Sequence, residues 1–86
     1  MTFTLVYTED ALSQLTKLDN VTAKRILDKP DGVLETPAHF FERLAGREEY
    51  KLRIGDYRVL AKILNNENAI FVTGIGHRKN IYKRLK

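Results

Sequence analysis

The chain has 86 residues, 43% of them hydrophobic and 30% charged, with a formal net charge of +4 at pH 7. This length predicts one domain over residues 1–86, burying somewhat over ~60% of the surface its unfolded chain exposes. There is no cysteine, which excludes a disulfide framework, a thiolate metal site and a cysteine nucleophile.

The charge is divided along the chain. Residues 1–42 hold four Lys/Arg against seven Asp/Glu, a net of −3, whereas residues 43–86 hold eleven against four, a net of +7. A basic half presented to one side is the electrostatic footprint of a polyanion, and nucleic acid is the expected partner. The N-terminus has neither a basic leader nor a long apolar run, so the expectation is a cytoplasmic protein with no membrane association.

In chain order, Thr2-Phe3-Thr4-Leu5-Val6-Tyr7 alternates with period two and predicts a strand. Thr8 offers an N-cap, Glu9 and Asp10 suit a first helical turn, and Leu12, Leu15 and Leu18 follow at helical spacing. Asp19-Asn20 breaks this helix, with Asn20 as the expected cap of a second one carrying Val21, Ala23, Ile26 and Leu27. Lys29-Pro30-Asp31-Gly32 is a strong stop, after which Val33-Leu34-Glu35 can regain a helical turn. His39-Phe40-Phe41-Glu42-Arg43-Leu44 fits either a last helical turn or an irregular approach to a sheet.

The next stretch, Tyr50-Lys51-Leu52-Arg53-Ile54-Gly55-Asp56-Tyr57-Arg58-Val59, predicts a hairpin turning at Gly55-Asp56. A two-residue loop pairs Ile54 with Tyr57, Leu52 with Val59 and Tyr50 with Ala61 on an apolar face. The opposite face pairs Arg53 with Arg58 and Lys51 with Leu60. Two arginines directly across a strand pair repel, and a sheet does not need them for stability; such a face is built either to hold an anion or simply to meet solvent with ordinary basic residues. A polar turn at 65–68 leads into Ala69-Ile70-Phe71-Val72-Thr73-Gly74-Ile75, apolar enough for a strand covered on both faces. Gly74 and Gly76 point to a bulge or a close backbone approach. Continuing the register pairs Arg58 with Ile75 and brings His77 to the face of Arg58. The tail from Ile81 predicts one or two helical turns. The fold class is α+β: an N-terminal strand, a helical hairpin over one face, then an antiparallel meander and a short C-terminal helical tail.

No phosphate loop, zinc-binding helix or Ser-His-Asp set is present, and neither a metal nor a cofactor is expected. What remains is a cluster of cations with an imidazole and a phenol: Lys51, Arg53, Arg58, His77, Arg78 and Tyr82. Such groups suit metal-free RNA cleavage, in which a 2′-hydroxyl attacks the adjacent phosphorus. A base takes its proton, an acid protonates the leaving 5′-oxygen, and cations stabilise the charged phosphorane. They suit a phosphate-binding patch without a reaction equally well.

The stretches Arg43-Leu44-Ala45-Gly46, Tyr50 to Arg58, Ile75-Gly76-His77-Arg78-Lys79 and Ile81-Tyr82 resemble, in order and spacing, the RelE/ParE superfamily of type II toxin–antitoxin toxins. The resemblance spans nearly the whole chain, with its specific motifs in residues 43–82, and implies a RelE-like microbial RNase fold. RelE-like members enter the ribosomal A site and cut mRNA, whereas ParE-like members lack that catalytic set and act on DNA gyrase. Lys51 and Arg53 match the two basic positions before the hairpin turn, Arg58 the arginine after it, Arg78 the arginine past the last strand and Tyr82 the C-terminal tyrosine. The resemblance therefore implies the RelE-like branch: a ribosome-dependent mRNA endonuclease, or mRNA interferase, that inhibits translation. Arg53 stands where lysine is more typical, and arginine holds charge without giving up its proton. Proton transfer then falls to Tyr82 or His77 as base, with Lys51 assisting or protonating the leaving oxygen. Lys51, Arg53, Arg58, Lys79, Lys83 and Arg84 are the expected RNA contacts. The implied partners are a cognate RelB-like antitoxin, the ribosome and its mRNA, with operator DNA met only through the antitoxin. The competing readings are a ParE-like gyrase inhibitor and a non-catalytic antitoxin-binding or repressor homologue.

Overall fold

A computed structural model of the chain describes residues 2–81. Of the helical tail expected from Ile81, residues 82–86, with Tyr82, Lys83 and Arg84, lie outside the described residues. Five strands form one sheet: β1 (Thr4–Tyr7), β2 (Glu42–Arg43), β3 (Tyr50–Ile54), β4 (Tyr57–Leu64) and β5 (Ala69–His77), in the order β1-β5-β4-β3-β2. The pairs from β2 to β5 are antiparallel, and β1 adds to the far side of β5 in parallel. The fold is α+β, as expected, with β5 inside the sheet as its apolar sequence requires.

Two helices connect β1 to the rest: α1 (Glu9–Thr16) and α2 (Asn20–Asp28). Thr8 caps α1 by accepting from the Ala11 N–H at 3.2 Å. The cap of α2 is Asp19, which accepts from the Thr22 N–H at 3.2 Å; Asn20, the expected cap, is instead the first helical residue. Both side chains satisfy amides that the first helical turn leaves without a partner. Lys29, with φ of 27°, breaks α2 in front of Pro30. Residues 31–35 then form turns, because Gly32 at φ 85° leaves the helical region. Pro37–His39 makes a single 3-10 turn before β2, so residues 39–44 combine a helical turn with a short edge strand.

Period two divides the sheet's residues between its faces. Leu52, Val59, Ala61, Ile70, Val72 and Ile75 point to one side and meet Ala11 and Leu15 of α1, Ile26 of α2, and Val33 and Phe41. Each fully buried Val or Ile of this core contributes about 1.5–3 kcal/mol by leaving water. On the other side Leu60 and Ile81 are buried at 4% and 1% exposure. Ile81 lies over the glycines of β5: a Cβ at Gly76 would come within 2.9 Å of Ile81 Cδ1. The close approach expected at these glycines is therefore the chain's own last described residue. No helix is long and apolar enough to cross a membrane.

Candidate functional site

The hairpin sets the geometry of the site. Gly55 adopts φ 58°, a left-handed angle that glycine takes without steric cost, and the β3–β4 register is the one that a two-residue loop predicts. Arg53 lies directly opposite Arg58, and Lys51 opposite Leu60. On the outer side Lys51 also pairs with Glu42 of β2, with Nζ 3.4 Å from Oε2. Arg58 folds back on the turn, donating from Nη1 to the carbonyls of Gly55 at 3.2 Å and Tyr57 at 3.1 Å.

These cations line an open groove of about 360 Å³. Lys51, Arg53 and Arg58 come from the strands, and the segment 38–42 completes the lining with His39, Phe40 and Glu42. Three of the expected site residues are thus brought together. Gly76 faces Arg58 across β4 and β5, so no side chain from β5 crowds the guanidinium, and Ile81 ends the described chain against that glycine. Arg78 is tied to the hairpin turn from the strand exit: its N–H donates to the Asp56 carbonyl at 2.8 Å, and its Nε lies 3.8 Å from Asp56 Oδ1. Lys79 is exposed in the turn that follows. Tyr82, Lys83 and Arg84 fall outside the described residues.

The expected placement of His77 beside Arg58 is corrected by a β-bulge. Leu64 pairs with Ala69, but between Leu60 and Ala61 the register shifts and Thr73 becomes an extra residue in β5. The Thr73 hydroxyl donates to the Leu60 carbonyl at 3.4 Å. One extra residue exchanges the faces of everything after it. Arg58 therefore faces Gly76 rather than Ile75, and His77 pairs with Tyr57 on the helix-covered side. Their rings meet edge to face at 5.5 Å, and His77 Nδ1 accepts the Lys79 N–H at 3.1 Å.

Two groups near the site had no signal in the sequence. His39 enters the groove only through the tertiary placement of the 38–42 segment. Arg25 of α2 reaches the hairpin turn from the opposite side, where a Cβ on Gly55 would lie 3.1 Å from its Nη2. Among the described residues, two groups with shifted pKa values lie away from the groove. Burial raises the Tyr7 phenol above its ordinary value. Hydrogen bonds from the Thr22 side chain and backbone N–H lower Asp19. Among the described residues, no group of three His, Asp or Glu side chains is placed to hold a metal ion. The apolar interior between sheet and helices leaves a void of only about 20 Å³, too small for a substrate. The groove over the cations is the site that geometry favours.

Residues 5–82 match the family model described as the ParE toxin of the type II toxin–antitoxin system parDE. The chain belongs to the RelE/ParE superfamily of toxins. No curated protein sequence matches it. Among solved structures, the intact RelBE toxin–antitoxin complex of E. coli contains a chain 28% identical, with a TM-score of 0.71 over 87% of this chain and 95% of that one. The RelBE2 complex from Mycobacterium tuberculosis gives 20% identity and a TM-score of 0.81 over 91% and 100%. An archaeal RelE–RelB complex from Pyrococcus horikoshii gives 23% and 0.76 over 93% and 99%. The last two show the fold alone, and all three agree with the α+β architecture described above.

Proposed function

We propose that this toxin is a ribosome-dependent mRNA endonuclease that blocks translation in the cytoplasm. The observation that carries the reading is the convergence of Lys51, Arg53 and Arg58 on one open groove. The two arginines face each other at a cost in sheet stability. A scissile phosphate seated between them offsets that repulsion. Guanidinium groups match phosphate oxygens with paired N–H donors, and they stay charged throughout the reaction. The tie between Arg58 and the turn carbonyls holds its guanidinium in place before substrate arrives, which is where electrostatic catalysis gains most.

The reaction proceeds by attack of the 2′-oxygen on phosphorus and departure of the 5′-oxygen. It leaves a 2′,3′-cyclic phosphate and a 5′-hydroxyl. Arg53 and Arg58 hold the equatorial oxygens as charge accumulates, and Lys51 donates a proton to the leaving oxygen. Arg78, held at the hairpin turn, extends the cationic surface along the backbone with Lys79. Tyr82, Lys83 and Arg84 belong to the same reading through the family resemblance.

The partner that restrains the toxin is a RelB-like antitoxin, as in the RelE–RelB complexes of E. coli and P. horikoshii. Leu12 and Leu27 at 47% exposure and Val21 at 71% leave apolar surface on the helices for such a partner. A second reading, inhibition of DNA gyrase, is favoured by the match to the ParE family model. Adding purified protein to programmed ribosomes and mapping the mRNA ends separates the two. Cleavage with cyclic-phosphate ends supports the endonuclease. Intact mRNA with loss of gyrase supercoiling supports the second reading.

A further inference from the structure

A groove that binds phosphate through arginines still needs a group to remove the 2′-hydroxyl proton. Arginine does not do this near neutral pH. Lys51 carries a positive charge and is engaged with Glu42 at 3.4 Å. His77 has been carried to the other face by the bulge, with its Nδ1 already accepting a hydrogen bond. Tyr82 lies outside the described residues, and among those described the histidine that does line the groove is His39. We infer that His39 is the general base of this site, taking the 2′-hydroxyl proton of an RNA strand whose phosphate lies on Arg53 and Arg58. The inference rests on the RNA-cleavage reading above.

The local structure suits that role. His39 closes the 3-10 turn that begins at Pro37, and its N–H donates to the Thr36 carbonyl at 3.0 Å. The turn is anchored on both sides of it. Pro37 is buried, and the N–H of buried Phe41 donates to the Pro37 carbonyl at 2.8 Å. The backbone that carries His39 is therefore fixed at the edge of the groove. The charged side chains sharing that space are Glu42, Lys51, Arg53 and Arg58. Imidazole is the one side chain among these types whose ordinary protonation change falls between pH 5 and 8.

In the step, the proton on the 2′-oxygen moves to a ring nitrogen of His39 as the O2′–P bond forms. The P–O5′ bond breaks, and the leaving oxygen takes a proton from Lys51 Nζ. Solvent then returns the proton from His39 to Lys51. No oxidant, reductant or metal enters the balance.

The test is the pH dependence of mRNA cleavage on programmed ribosomes for the wild type, His39→Ala and Arg58→Ala, with thermal melting as the control for folding. Because His39 is exposed, its replacement should leave the melting temperature unchanged. The expected result is a roughly 10²–10⁴-fold slower reaction for His39→Ala. Its rate should lose the limb that rises through the imidazole range, and added imidazole should restore part of it. Arg58→Ala should be slow at every pH and keep that limb. A His39→Ala protein that cleaves within about twofold of wild type, or one that is slow but keeps the limb and ignores imidazole, overturns the inference alone. A wild-type protein that leaves mRNA intact overturns the RNA-cleavage reading, and the role of His39 falls with it.

Discussion

On the helix side of the sheet, Leu52, Val59, Ile70, Val72 and Ile75 close against α1 and α2 and leave almost no space. On the other side the same strands present Lys51, Arg53 and Arg58 to an open groove of about 360 Å³, with Leu60 and Ile81 buried on the same face. Neighbouring residues on one strand thus serve opposite ends. Leu52 stabilises the fold, while Arg53 beside it faces the like charge of Arg58 at a cost in sheet stability. This alternation lets a small domain carry a charged site without opening its core.

Removing a large core side chain should have the greatest effect on folding and the least on chemistry. Ile70 is fully buried, and Ile70→Ala should lower the unfolding free energy in urea by about 2–5 kcal/mol. Cleavage per folded molecule should stay near wild type. A large loss of specific activity in fully folded Ile70→Ala would show that the two faces are not independent.

A middle case joins the faces. Gly76→Ala places a methyl group 2.9 Å from Ile81 Cδ1 and 3.7 Å from Ile81 Cα, on the open face and opposite Arg58. The end of the Ile81 side chain must shift, at a cost of at most about 1–3 kcal/mol typical of overpacking. Both the melting temperature and the cleavage rate should fall. Unchanged values for both would mean that the contact between Ile81 and Gly76 matters to neither.

The hairpin register was legible because the Gly55-Asp56 turn and the alternation on both flanks allow one pairing. The same reasoning failed four residues into β4, where Thr73 adds one residue to its partner strand. Nothing in Val72-Thr73-Gly74 says on which side of the glycine the ladder slips, and a slip of one residue is enough to exchange His77 for Gly76 beside Arg58. The parallel addition of β1 was likewise unreadable, since a strand's alternation does not state its direction. His39 escaped because its part in the groove depends on where the 38–42 segment docks. Asn20 and Asp19 are both good caps, and only the geometry of the break between helices chooses Asp19. The cations Lys51, Arg53 and Arg58 were legible as a group because the turn alone places them on one face.

The smallest effect concerns the helical layer, far from the groove. Asp19 has its pKa lowered in the fold by hydrogen bonds from Thr22. A carboxylate with a lowered folded pKa adds stability that is present above its ordinary unfolded value and is lost as the pH falls through the folded one. Between neutral pH and mild acid the cap should therefore hold. Below the ordinary carboxylate range, near pH 4, its contribution should fade. Comparing urea unfolding of wild type and Asp19→Ala over this range should show the two curves converging in acid. A gap that stays constant would remove the cap's charge from the account.

The most direct test of the separation between the faces is the cleavage rate of Arg58→Ala on programmed ribosomes, measured with its melting curve. Arg58 donates to the carbonyls of Gly55 and Tyr57 and lines the groove. The account predicts a rate lower by roughly a hundredfold or more, the loss expected for one transition-state contact, with melting close to wild type. Wild-type cleavage from a folded Arg58→Ala protein would contradict it.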